Sequence, residues 1–271
     1  MVPPPTFRVL FVLLALVLVT LPLTSCGDDE SSGTTPAGDA ESISAATRTG
    51  AGSASIAASA RGETAERWPA GGNRWLELRG GGRAPLFDRP GGDRVAVAGP
   101  RTEFGSPMSF GVLGTRDGRG WIEVTTSLGP PNRPLWIRSE PVAMRFRTTP
   151  YAITVDLSER RLELSRDGKR VRAFPVTIGG AATSTPAGRF AITDIIVRDL
   201  DHEVYGCCAL ALSAHQPNLP PGWIGGDRVA IHGTDGPLGV AASTGCIRMR
   251  NDQLAELTRT VGLGTPVAIE G

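Results

Sequence analysis

Hydrophobic and polar positions in this chain follow successive patterns, and each predicts a different kind of segment. An apolar run from Val9 to about Leu23 follows one cation, Arg8, and is flanked upstream by prolines. A membrane-spanning helix needs roughly 20 apolar residues. The run is short for a permanent span and fits the apolar region of a secretory signal. From Gly27 to about Gly72 the pattern vanishes, and Gly, Ser, Ala and Thr dominate. Such a segment cannot bury enough surface to offset its ordering entropy. It predicts a flexible tether spanning roughly 35–40 Å by random-coil scaling.

From Asn73 to about Arg147, short apolar runs such as RWLELRG, GWIEVTT and LWIRSEPV alternate with Gly/Pro breaks. No helical period emerges, so a small all-β barrel is expected, with Trp75, Trp121 and Trp136 in its core. Tyr151 to Glu270 reads as a second β-rich unit. YAITVDL puts Tyr151, Ile153, Val155 and Leu157 on one face, and Asp167-Gly168 marks a hairpin. GRFAITDIIV, CALALS, RVAIHG and TPVAIEG supply further strands. One helix is expected near the end, with Asn251 as N-cap, Leu254, Leu257 and Val261 on one face, and Gly262 stopping it. The fold class is therefore mainly β, with two cores and one or two short helices.

Net charge is +1, which gives no electrostatic case for nucleic acid. Of the four cysteines, Cys207 and Cys208 are adjacent and cannot easily bridge each other, so a buried thiol pair is expected. Cys246 is left without an obvious partner, as a reactive thiol would be. His202, in a charged loop, is expected to be solvated, and His215 structural. No Cys/His spacing resembles a closed zinc site, and no cofactor is expected.

The candidate chemistry lies in IHGTDGPLGVAASTGCIRM, where His232 and Cys246 stand fourteen residues apart (246 − 232). A thiol needs a base or a positive group nearby to attack as thiolate at neutral pH. His232 closes the predicted strand RVAIH. If the STG turn folds back beside that strand end, imidazole and sulfur come together. Gly245 would let the chain turn sharply and bare backbone N–H groups for an oxyanion. Arg248 could clamp a substrate carboxylate. Spacing alone leaves a nucleophile–base pair and two packed core residues both open.

The joint pattern IHGT … STGCIRM resembles the signature of L,D-transpeptidases with the YkuD-type catalytic domain. Upstream, Thr185, Pro186, Gly188 and Phe190 resemble the family's Thr-Pro-x-Gly-x-Phe segment. The resemblance covers about 150–270 and implies a β-sandwich. It implies Cys246 as nucleophile, His232 as base, and the Gly233 carbonyl as the group orienting the imidazole. The turn's three amides, Thr244 to Cys246, would receive the oxyanion, with Ser243, Thr244 and Gly245 also lining the substrate site and Tyr205 facing the cleft. Thr244 departs from the family, which usually has histidine there; its backbone amide survives the exchange. A papain-like peptidase is disfavoured because those place cysteine before histidine.

Two weaker resemblances complete the organisation. LTSC, ending at Cys26, resembles a bacterial lipobox, which implies cleavage after residue 25, a lipidated Cys26 and a tether over 26–72. Residues 73–147 resemble bacterial SH3-like domains. Together these imply a monomer outside the cytoplasm, anchored to the membrane through Cys26 and facing the wall. Its partners would be peptidoglycan stem peptides, joined in 3–3 cross-links through a Cys246 thioester with loss of a terminal D-alanine. An L,D-carboxypeptidase on the same fold and a non-catalytic wall-binding protein are the alternatives.

Overall fold

The computed structural model describes residues 73–116, 120–139, 144–198 and 200–271. The expected signal segment, Cys26 and the tether lie outside the described residues.

The first sheet has seven antiparallel strands: β1 (Asn73–Leu78), β2 (Ala84–Phe87), β3 (Arg94–Ala98), β4 (Ser109–Arg116), β5 (Trp121–Thr125), β6 (Leu135–Arg138) and β7 (Met144–Thr149). They pair in the order β3-β2-β6-β5-β4-β1-β7. Alternate residues fill one core: Leu76 and Leu78, Ala84 and Leu86, Ile122 and Val124, Leu135 and Ile137. The three tryptophans do not join it. Each stands one residue out of phase with that core set, so strand alternation sends all three to the opposite face. Trp121 is buried there edge-on to Phe87, with ring centroids 5.2 Å apart. Trp75 lies against Gly264, where an added Cβ would come within 2.2 Å of its ring.

The second sheet has eight strands, in the order β10-β9-β8-β17-β12-β13-β14-β16. They are β8 (Tyr151–Asp156), β9 (Arg161–Arg166), β10 (Lys169–Pro175), β12 (Gly188–Ile196), β13 (Ala209–His215), β14 (Arg228–Thr234), β16 (Ile247–Arg250) and β17 (Pro266–Glu270). Short strands β11 (Ile178–Gly179) and β15 (Ala241–Ser243) form a separate parallel pair. The β9–β10 hairpin turns through Asp167 (φ 49°) and Gly168 (φ 75°), the double left-handed geometry for which Asp-Gly is suited. Ile153 and Val155 point into the core, flanked by half-buried Tyr151 and Leu157, so the alternation of YAITVDL holds.

Among the described residues two short α-helices complete the mainly β fold: α1 (His202–Tyr205) and α2 (Asn251–Thr260). Leu254 and Leu257 of α2 are buried, each worth about 1.5–3 kcal/mol by apolar transfer. The expected cap is displaced by one residue. Arg250, extended at φ −60°, ψ 142°, precedes the helix without a side-chain cap bond. Asn251 is the first helical residue, and its side chain is engaged elsewhere. The helix ends ahead of Gly262, at an extended Val261 whose N–H donates to the Leu257 carbonyl.

Candidate active site

Strands β14 and β16 run parallel, with His232 opposite Arg248 and Ile231 opposite Ile247. Val229, Ile231, Ile247 and Met249 point into the core and are fully buried. Alternation therefore turns His232, Cys246 and Arg248 to the other face, where they line one cleft with Tyr205, Gln216 and Thr244. His232 lies on β14 and Cys246 on the bend just before β16, so the two share that face, diagonally offset. β14 also runs two residues past His232, to Thr234, rather than closing on it.

His232 is 2% exposed. Its Nδ1–H donates to the Gly233 carbonyl at 3.0 Å, which leaves Nε2 as the basic nitrogen. The Tyr205 ring stands edge-on at 5.2 Å. Burial pulls the imidazole pKa down to about 4, against the Gly233 bond and with help from the Arg248 charge. Burial likewise pushes the Cys246 thiol up, opposed by a backbone hydrogen bond at Ala230 and by Arg248. The thiol's contact is the Arg228 carbonyl, at 4.0 Å. Both shifts favour neutral thiol and neutral imidazole over a preformed ion pair.

The turn before Cys246 is over-determined by hydrogen bonds. Gly245 has φ 113°, and a Cβ there would sit 2.0 Å from Gln216 Nε2, so only glycine fits. Its carbonyl accepts from Thr185 Oγ1 at 2.9 Å, and Thr185 Oγ1 accepts from the Gly179 amide at 2.8 Å. Gln216 Nε2 donates to the carbonyls of Thr183, Ser184 and Thr244 at 3.0–3.3 Å. Ser243 is committed to the turn itself: its hydroxyl donates to the Cys246 carbonyl at 2.5 Å and accepts the Gly245 amide at 3.1 Å. Of the three amides expected to face an oxyanion, that of Gly245 is thus already engaged.

A model of the L,D-transpeptidase catalytic domain matches residues 150–269. The Bacillus licheniformis protein YkuD, named as an L,D-transpeptidase, is 35% identical over 124 residues, covering 45% of this chain and 67% of its own. The chain belongs to the L,D-transpeptidase YkuD family. YqjB of Bacillus subtilis, also named as an L,D-transpeptidase, is 31% identical over 131 residues, covering 44% of this chain and 70% of its own. The solved structure of an Enterococcus faecium L,D-transpeptidase is 27% identical, with a TM-score of 0.32. That match covers 44% of this chain and 49% of the other, so the shared part is about half of that relative.

Several residues of this family member's site escaped the sequence reading. Asn251 Oδ1 accepts the Cys207 amide at 2.8 Å, and its Nδ2 donates to Asp235 at 2.8 Å. A Cβ on Gly233 or on Gly206 would come within 2.1 or 2.2 Å of Asn251 Oδ1. Asn251 thus packs against the backbone whose carbonyl orients His232. Gln216 carried no signal, since a single polar residue after a strand is unremarkable. Arg248 is half-buried in the cleft, and its Nε has no hydrogen-bond partner.

The remaining cysteines and histidines stand apart from the chemistry. Cys208 is buried, and burial pushes its thiol up to about 12. Cys207 is only half-buried, not fully enclosed as expected, and its Sγ contacts the Asn251 carbonyl at 3.2 Å. His215 is structural: Nε2–H donates to the Ser127 carbonyl at 2.8 Å, and Nδ1 lies 2.9 Å from the Asp227 carboxylate. The His202 side chain lies outside the described residues. Among the described residues no group of three metal-ligating side chains converges.

Proposed function

We propose that this protein is a peptidoglycan L,D-transpeptidase in which Cys246 carries the acyl group and His232 moves the proton. The observation that supports it best is the shared cleft face of those two residues, with Nδ1 held by Gly233 so that Nε2 is the nitrogen left to accept a proton. In this reading the Cys246 sulfur attacks the carbonyl of the third stem residue, a diamino acid, as its proton passes to His232 Nε2. The resting pair is neutral, so proton transfer accompanies attack instead of preceding it.

The tetrahedral oxyanion is received by the Thr244 and Cys246 amides. It collapses to a thioester as His232 gives its proton to the departing nitrogen of the terminal D-alanine. The side-chain amine of a neighbouring stem then attacks the thioester, His232 takes a proton from that amine, and the proton returns to the sulfur as the 3–3 cross-link forms. Arg248 pairs with a substrate carboxylate. The exchange of the family's usual histidine for Thr244 leaves the backbone amide in place.

The same reading places the enzyme outside the cytoplasm, anchored by a lipid on Cys26, with the seven-stranded sheet as an SH3-like domain. The test is incubation of purified protein with disaccharide-tetrapeptides. Dimers linked 3–3 are expected; tripeptides alone would make it an L,D-carboxypeptidase, and an unaltered product profile in Cys246→Ala would remove the enzyme assignment.

A further inference from the structure

Two loops of the seven-stranded sheet grip the strands that build the cleft. In the first, Asn132 forms a matched pair with the His215 backbone: Nδ2 donates to its carbonyl and Oδ1 accepts its N–H, both at 2.8 Å. The neighbouring Ser127 carbonyl takes the His215 ring N–H. The next residue is Gln216, whose backbone N–H donates to the Asp227 carbonyl at 2.7 Å and whose amide holds the turn before Cys246.

In the second, Thr102 reaches β12 and Glu103 reaches β14. Thr102 Oγ1 donates to Asp194, a carboxylate with no exposure, and Glu103 pairs with Arg228. Arg228 lies over the Phe104 ring, donates to the Leu212 carbonyl and to Thr193 Oγ1, and stands 3.9 Å from Asp194. Its own carbonyl is the group that the Cys246 thiol contacts.

We infer that the seven-stranded sheet is a positioning element of the catalytic cleft, acting through His215–Gln216 on one strand and Arg228 on the other. This rests on the assignment of Cys246 as nucleophile. A sheet serving only as a spacer or wall-binding module has no use for a buried carboxylate and an arginine locked against its loop. Satisfying such groups demands a fixed geometry, because a buried charge tolerates no loose partner. Fixing Arg228 and His215 in turn fixes both flanks of the cysteine.

The experiment uses the full chain with Asn132→Gly and Thr102→Val, singly and together. Asn132 has φ 57°, which glycine also adopts, so that change removes the side-chain bonds and spares the backbone. Thr102→Val deletes one hydroxyl at nearly constant volume. The readouts are kcat and KM on disaccharide-tetrapeptide, and the rate of Cys246 alkylation by iodoacetamide, resolved from the other cysteines by peptide mass. The double variant is expected to lose about fivefold or more in kcat with little change in KM, and to alkylate Cys246 about fivefold faster.

Asn132→Asp, which keeps an acceptor for the His215 N–H, should recover part of both effects and provides a folded comparison if the double variant is unstable. Both readouts within about twofold of the parent would overturn the inference. If the parent forms no cross-links yet alkylation still shifts, the positioning stands and the transpeptidase reading falls.

Discussion

His232, on β14, and Cys246, on the bend just before β16, face one cleft, and each side chain lies against a backbone carbonyl: the imidazole hydrogen-bonded to Gly233 at 3.0 Å and the thiol in weak contact with Arg228 at 4.0 Å. Burial favours the neutral form of both groups, the imidazole almost fully enclosed and the thiol half-buried. A neutral thiol is also less prone to adventitious oxidation, since thiolate character governs that reactivity.

A neutral resting pair has a pH signature. A thiolate–imidazolium pair would give Cys246 a plateau of iodoacetamide reactivity through mildly acidic pH. Here the raised thiol should give no plateau, with reactivity climbing steadily into the alkaline range. For thioester formation, read as D-alanine release or adduct formation, activity should persist below pH 6 and fall only as His232 protonates near 4. Rate profiles from pH 3.5 to 10 check both.

Stability should report the same histidine. Its folded pKa, about 4, lies below the ordinary value of 6.5, so between those values the unfolded chain binds more protons than the native one. Native stability is then full above pH 6.5 and is lost as pH falls toward 4, at up to about 1.4 kcal/mol per pH unit. Denaturant titrations of the parent and His232→Gln should show a flatter profile for the variant across that window.

Gly245→Ala should be damaging for two separate reasons, the left-handed φ and the overlap with Gln216. A loss of about 2 kcal/mol or more is expected, with activity falling further than stability because the turn carries the nucleophile. Chemical denaturation and turnover, measured on the same preparation, separate the two.

Asn251→Ala leaves the Cys207 amide without its acceptor and opens space beside Gly233. The expected cost is about 1–3 kcal/mol. A drop in kcat beyond the stability loss would show that the Gly233 carbonyl has drifted from the imidazole, whereas wild-type kcat in a folded variant would limit Asn251 to the fold.

Thr244 tests the oxyanion assignment. Thr244→Ala keeps the amide and should stay within about threefold of parent activity, while Thr244→Pro removes that N–H and should lose about 100-fold. Equal activity in two folded variants would rule out a role for this amide.

Much of the fold was legible because alternation is a local property. Ile153 and Val155, the Asp167-Gly168 turn and the α2 face all follow from neighbours in sequence. Trp121 is buried as expected, though against Phe87 on the other face; Trp75 and Trp136 are only half-buried, because phase along the strand, not aromatic size, decides the face. Asn251 was displaced from its cap because a long-range demand, the Cys207 amide and Asp235, outcompeted the local one. At the candidate site, the convergence of His232 and Cys246 on one cleft was readable, as was the need for glycine at 245. The roles of Gln216, Asn132 and Arg228 were not, since they arise from contacts between segments far apart in the chain.

The central claim is that Cys246 carries an acyl group with His232 as its proton carrier. Intact-mass analysis of purified protein after brief exposure to a tetrapeptide donor or a carbapenem tests it most directly. The account predicts one covalent adduct, mapped to Cys246, absent in Cys246→Ala and formed far more slowly in His232→Gln. An adduct on Cys207 or Cys208, no adduct while cross-links still form, or undiminished product from Cys246→Ala would contradict it.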